Sequence, residues 1–227
     1  MTMFQGFSEQ SLDFLWGIRL NNNREWFEIH KPDYINHIRN PLKALGDELF
    51  AIVTEQYPDY GLRLKITRIY RDARRLHGRD PYKDHLWLSL EKPSENWQGD
   101  PVFWFEIGPS EYSYGLGYYA PKAVTMEKFR KRLDNHPEKF LPLARKLAKR
   151  KDFALESQAF KKPKKSDVDP LLFDWYNSRG FSIVHKHPNH ERMFRPEFAK
   201  EIAEAFLWLM PYYEYLAPIK DDPDPRG

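Results

Sequence analysis

The sequence predicts an α+β fold: a central antiparallel sheet, a meander, covered by N- and C-terminal helices. Three observations predict it. Apolar residues recur at spacings of three and four from Leu12 to Ile52 and again from Phe198 to Tyr213, the signature of helices with one buried face. Between them, residues 62–71, 86–91, 102–108 and 112–119 alternate apolar with polar or small side chains and are rich in β-branched and aromatic residues. The connections between these runs are short, which favours an antiparallel meander over parallel strands joined by crossovers.

Phe7, Ser8 and Leu12 form a hydrophobic staple around a serine N-cap, so the first helix starts at Glu9 and turns Leu12, Leu15 and Trp16 to one face. Asn21-Asn22-Asn23 ends it and supplies Asn23 as the next N-cap. A short helix with Trp26 and Phe27 follows, and then the stripe Ile35, Ile38, Leu42, Leu45, Leu49 and Ile52, with a kink or break expected at Pro41. In the strand at 112–119, Ser113, Gly115, Gly117 and Tyr119 share a face. Its two glycines leave that surface bare for close approach by another segment or a ligand. Helices are expected at 125–133 and 137–150, a strand at 153–158, a helix begun by Asp169-Pro170 and ended by Gly180, a strand at 181–187, and a last helix opened by Pro196. Residues 1–217 are expected to form a single α+β domain, and residues 218–227, charged and rich in proline, a disordered tail.

Composition narrows the function. The chain has 227 residues, 36 Lys+Arg against 33 Asp+Glu, 16% aromatics and no cysteine. The aromatic content argues against disorder, and the lack of cysteine excludes disulfides, thiolate metal sites and a cysteine nucleophile. No apolar run approaches the length of a membrane span. Residues 1–7 have neither a basic nor an apolar leader region, so a cytoplasmic location is expected. No P-loop, dinucleotide fingerprint or G-x-S-x-G elbow is present. No metal and no cofactor is predicted: His185, His187, His190 and Glu191 read as a solvated strand end. Trp87, Trp97 and Trp104 could stack nucleobases, although strand aromatics serve the core first.

The densest polar information lies in residues 68–85, RIYRDARRLHGRDPYKDH. Strand parity places Arg68, Tyr70 and Asp72 on one face and Arg71 on the other. The loop that follows returns Arg74, Arg79 and Lys83 over the strand end. Guanidinium groups converging there suit a phosphate or carboxylate, because their planar donors bind oxyanions in pairs. At about 1.5–3 kcal/mol per charge-assisted bond, two or three support micromolar to millimolar binding. The expected ligand is thus an anionic small molecule, bound by Arg68, Arg71, Arg74 and Lys83, with Asp72 orienting an arginine and Tyr82 and Tyr119 lining the wall. If the cluster does chemistry, phosphoester-type hydrolysis is the least strained reaction, with no residue singled out as catalytic. The same residues also read as a structural network. A second reading is a nucleic-acid-binding module on residues 122–165, which hold 15 basic and 5 acidic side chains. A third is an interaction protein without catalysis.

Asn21-Asn22-Asn23-Arg24-Glu25-Trp26-Phe27, with Tyr34 following, resembles the opening motif of the bacterial and fungal domain of unknown function 2461. The R-x-Y-R-D-x-R segment at Arg68, Tyr70, Arg71, Asp72 and Arg74 is also similar to that family, as are Pro81-Tyr82-Lys83, Gly117-Tyr118-Tyr119-Ala120-Pro121 and Phe160-Lys161. Arg75, Leu76, His77, Gly78 and Arg79 depart from it: the family often has an aromatic and Ser there, then Lys-Asp-Lys. The resemblance implies the fold and no established activity, cofactor or substrate.

Overall fold

The computed structural model describes residues 3–72, 74, 78, 80–94, 99–118 and 120–226. Helix α1 spans Glu9–Leu20, α2 Arg24–Asp33 and α3 Asn40–Gln56, with a π-helical turn, Tyr34–Arg39, joining the last two. Strands β1 (Arg63–Ile66), β2 (Leu86–Glu91), β3 (Val102–Ile107) and β4 (Glu111–Gly117) follow. Then come α4 (Ala123–Asn135), α5 (Pro137–Ala148), β5 (Ala154–Ala159), α6 (Phe173–Tyr176), β6 (Ser178–Pro188) and α7 (Phe198–Leu216).

The sheet is antiparallel and six-stranded, in the order β1-β2-β3-β4-β6-β5. Its first four strands form the expected meander. The last two are reversed, so that β5 takes the edge, paired with β6 in the register Ala154↔Val184, Leu155↔Ile183 and Glu156↔Ser182.

The chain divides into two compact units. The first comprises Met1–Leu90, Trp104–Tyr114 and Lys186–Ala205, the second Glu91–Phe103, Gly115–His185 and Phe206–Gly227. In the first unit α3 lies against β1 and β2. A Cβ on Gly46 would meet the Leu64 and Leu88 methyls at 2.9 and 3.3 Å, so glycine lets the two elements approach without displacing those side chains. The inner face of β2 is Leu86, Leu88 and Leu90, all buried, while Trp87 on the other face is only half-buried. In the second unit Phe103 packs on Phe206 and Tyr213, and Phe140 on Phe129 and Trp175, with ring centroids 4.9–5.3 Å apart.

The helix is not broken at Pro41. This proline occupies the first turn of α3, just after the π-turn. The carbonyl four residues back, that of His37, has no proline N–H to accept, and the buried Ser11 hydroxyl donates to it at 2.6 Å. Gly180 does not end a helix either. The helix there is only the short α6, whose Phe173 carbonyl accepts both the N–H and the side-chain amide of Asn177, and Gly180 lies within β6. At Gly117 the close approach comes from β6: a Cβ would stand 2.6 Å from the Phe181 carbonyl oxygen and 2.4 Å from Ser182 Oγ. Where a disordered tail is expected from Pro218, Ala217–Asp221 form a 3-10 helix with Ile219 fully buried. Asp222 grips Arg132 through two bonds of 2.5 and 2.7 Å, and Lys220 pairs with buried Asp100 at 2.6 Å. An apolar anchor and two ion pairs thus hold a segment whose composition alone reads as solvated.

Among the described residues, no helix is long and apolar enough to cross a membrane.

Candidate functional site

The first strand stops at Ile66, five residues short of the 62–71 run, so its parity does not extend to Asp72. Beyond it, Thr67 Oγ accepts the Trp87 N–H, and Tyr70 makes an isolated antiparallel bridge to Tyr82. The main chain of Arg71 donates to the Pro81 carbonyl at 2.9 Å, and that of Lys83 to the Ile69 carbonyl at 2.8 Å. Segment 67–71 is therefore tied to segment 81–83 as a short two-stranded tongue.

This tongue brings Arg71, Tyr82 and Lys83 together, and sets each in an internal bond. Arg71 Nε donates to the Tyr82 carbonyl at 2.9 Å, and its guanidinium stands 3.7 Å from Asp84. Lys83 Nζ donates to the carbonyls of Arg68 and Tyr70 and lies over the Trp87 ring. Burial lowers the Lys83 ammonium below its ordinary pKa, and the nearby Arg71 and Arg68 charges add to the effect. Tyr82 is buried and stacks on Phe27 at 4.3 Å. Asn22 holds both of its main-chain polar groups, accepting the N–H at 3.0 Å and donating to the carbonyl at 3.1 Å. Asp72 and Arg74 form their own exposed fork of 3.1 and 3.0 Å. Arg68 is exposed. Tyr119 lies outside the described residues, as do Arg75, His77, Arg79 and Trp97.

Arg68 and Tyr70 border a cleft of about 430 Å³ in the first unit. Phe27, Tyr34, Ile35, Ile66 and Ile69 give it an apolar floor, and Lys31, Arg39, Lys43 and Arg68 give it four cations. No carboxylate is among its lining residues. Lys31 faces Glu28 at 3.4 Å and Lys43 faces Asp47 at 2.5 Å, both exposed pairs on their own helix. Arg39 and Arg68 make no side-chain ion pair among the described residues. Burial pushes the Tyr34 phenol above its ordinary pKa, partly offset by the Arg39 charge and by a hydrogen bond with the Ile69 backbone.

Lys31, Arg39 and Lys43 were invisible to periodicity. In an unbroken α-helix, residues eight apart diverge by about 80° around the axis. The π-turn over Tyr34–Arg39 turns less per residue and brings Arg39 back toward the line of Lys31. Sequence pattern signals an amphipathic helix here; it does not signal a π-turn. A second cleft of about 340 Å³ borders the same turn, lined by Asp13, Asp33, His30, His37, Phe14 and Trp26.

The basic 122–165 region is extensively bonded within its own unit. Arg132 is held by Asp222, Lys165 bonds Asp134 at 2.7 Å, and Arg150 forks onto Asp152. Arg130 is buried and donates to the Ser178 carbonyl. His185 and His187 direct Nδ1 to the carbonyls of Asp152 and Pro188, and His190 Nε2 lies 3.0 Å from the Tyr112 hydroxyl. No group of three or more His, Asp or Glu side chains suited to a metal occurs among the described residues.

Among curated proteins, none matches the chain. The family model for the conserved hypothetical proteins of DUF2461 matches residues 10–215. That span takes in the asparagine run, the tongue, the cleft and α7 up to its last turn, and the chain belongs to this family.

Proposed function

We propose that the protein binds an anionic small molecule with an apolar or aromatic body in the 430 Å³ cleft. One observation carries the reading: an apolar floor rimmed by four cations and no acid. The volume falls within the range of about 300–1,000 Å³ usual for small-molecule sites. Arg39 and Arg68, lacking side-chain ion pairs among the described residues, supply forked donors for a phosphate or carboxylate. Tyr70, 49% exposed and resting edge-on against buried Phe27, offers ring surface to the ligand's body.

Of the residues singled out from sequence, Arg68 enters this reading as a ligand. Arg71, Tyr82 and Lys83 build the wall behind it, because their polar groups already bond within the tongue. Asp72 and Arg74, satisfied by each other, stay outside it. The alternative of a nucleic-acid interface on residues 122–165 has less support, since Arg130, Arg132, Arg150 and Lys165 already bond within the chain.

Phenyl phosphate tests the proposal by titration calorimetry. The expected dissociation constant lies between micromolar and millimolar, about −8 to −4 kcal/mol. Inorganic phosphate binds more weakly, because it leaves the floor exposed. The double variant Arg39→Gln/Arg68→Gln weakens phenyl phosphate at least tenfold. Equal affinity of the double variant and the natural chain, or no heat at millimolar ligand, overturns the reading.

A further inference from the structure

The sheet face turned away from α3 carries a second cluster, made of residues the cleft does not use. A Cβ built at Gly108 would stand 3.8 Å from Cβ of His85, so these two residues face each other at the ends of β3 and β2. The antiparallel register then sets Trp87 across from Glu106, with His85 its diagonal neighbour at about 7–8 Å. Gly108 also closes the hairpin to β4 through its N–H bond to the Glu111 carbonyl, which turns Glu111 to the same face. Trp104, two residues before Glu106, shares that face, and the burial of β3 alternates accordingly.

Each member has a defined state. Asp84 Oδ1 lies 3.0 Å from His85 Nδ1, and Arg19 Nε holds the other carboxylate oxygen at 2.6 Å. Burial raises the Asp84 pKa, but the bonds from Arg19 and His85 outweigh it and hold the carboxyl below its ordinary range. An ionised carboxylate only accepts, so Nδ1 carries the proton and Nε2 presents its lone pair. Glu106 behaves oppositely. It is half-buried and makes no hydrogen bond or ion pair among the described residues. Burial pushes its carboxyl above the ordinary range; His85 and Lys186 lower it, while Glu111 and Asp84 raise it. Glu106 holds its proton more readily than an ordinary carboxyl, and His85, its Nδ1 turned to Asp84, presents Nε2 as the acceptor, which divides the pair into acid and base.

We propose that this face hydrolyses phosphodiesters bearing aromatic substituents, with His85 as general base and Glu106 as general acid. Trp87 and Trp104, half-buried beside Glu106, offer ring surface for aryl or nucleobase groups. The Lys186 ammonium, 2.8 Å from Glu111 at the rim, lies near enough to attract a phosphate anion. His85 Nε2 takes a proton from water as the water oxygen bonds to phosphorus. The bond from phosphorus to the leaving oxygen breaks, and the Glu106 carboxyl gives its proton to that oxygen. The products are a phosphomonoester and a phenol or alcohol, and solvent restores both protons. Asp84 is a positioning residue that fixes the imidazole tautomer.

The test follows release of phenols from bis(p-nitrophenyl) phosphate and diphenyl phosphate by the full chain across pH. A bell-shaped profile is expected. His85→Gln lowers kcat/KM by about 100-fold or more and removes the acidic limb. Glu106→Gln removes the alkaline limb and slows diphenyl phosphate more, because its leaving group is the more basic. Asp84→Asn moves the acidic limb to lower pH, a displacement that mere loosening of the fold does not produce. Thermal melts confirm that each variant is folded. No turnover of either diester by the natural chain overturns the proposal, as does turnover that His85→Gln leaves intact. Neither result touches the phenyl phosphate titration, which reads the cleft through Arg39 and Arg68.

Discussion

Asn22 is where the asparagine run has its structural consequence, and Asn22→Ala measures it. Its side-chain oxygen accepts the Tyr82 N–H at 3.0 Å and its amide donates to the Tyr82 carbonyl at 3.1 Å. Tyr82 is 4% exposed, so water does not readily replace either bond. The carbonyl retains a second donor, Arg71 Nε at 2.9 Å, but the N–H is left with none in the variant. An orphaned buried donor costs about 1–3 kcal/mol and the other lost bond about 1, so the expected loss is about 2–4 kcal/mol. At about 2–4 °C per kcal/mol for a chain of this size, Tm falls by about 4–16 °C. Urea and thermal unfolding, followed by tryptophan fluorescence, report it. The double variant Asn22→Ala/Arg71→Met is expected to lose about 1 kcal/mol more than the sum of the singles, because only then does the carbonyl lose both donors. A single variant within 0.5 kcal/mol of the natural chain, or an additive cycle, refutes the role of Asn22 as the clamp on the tongue.

Three further outcomes are expected. Glu106 has a raised pKa in the folded chain, so its carboxylate costs stability as pH rises from about 4.3, the unfolded value, through the folded one. Glu106→Gln therefore stabilises the protein at pH 7 and makes no difference below about pH 4. Asp84 has a lowered pKa, so its contribution is full above about pH 3.9 and fades as pH falls through the folded value. Asp84→Asn accordingly loses stability at pH 7 and progressively less in strong acid; melts across pH check both signs. Gly117→Ala drives a methyl into the Phe181 carbonyl and Ser182 and destabilises by about 1–3 kcal/mol, read by urea unfolding.

Much of the site was legible as chemistry and little of it as geometry. The basic tract at 68–85 contains Arg68, a cation of the cleft rim, and Asp84 and His85 of the sheet face. Its other cations had to meet partners that no local pattern announces. Lys83 finds the carbonyls of Arg68 and Tyr70, and Arg71 finds Tyr82 and Asp84, because the chain folds back as a tongue after Ile66. Glu106 was passed over because a lone acid in an apolar strand has no signature until its cross-strand neighbours are known. Trp87 and Trp104 read as core aromatics, yet both stand half-buried on the open side of the sheet.

Local pattern determined where α1 and α2 start and the meander order of the first four strands, because these depend on neighbours within a few residues; it put Trp16 on the inward face of α1, where the fold buries Phe14, Leu15 and Ile18 instead. The tertiary structure alone decided the reversed β6-β5 order, the π-turn that aligns Lys31 with Arg39, the anchoring of Ala217–Asp221 and the choice of which cations remain open to a ligand. Each of those rests on a hydrogen bond, ion pair or contact between residues far apart in the chain, and the partner's position exists only once the chain has folded.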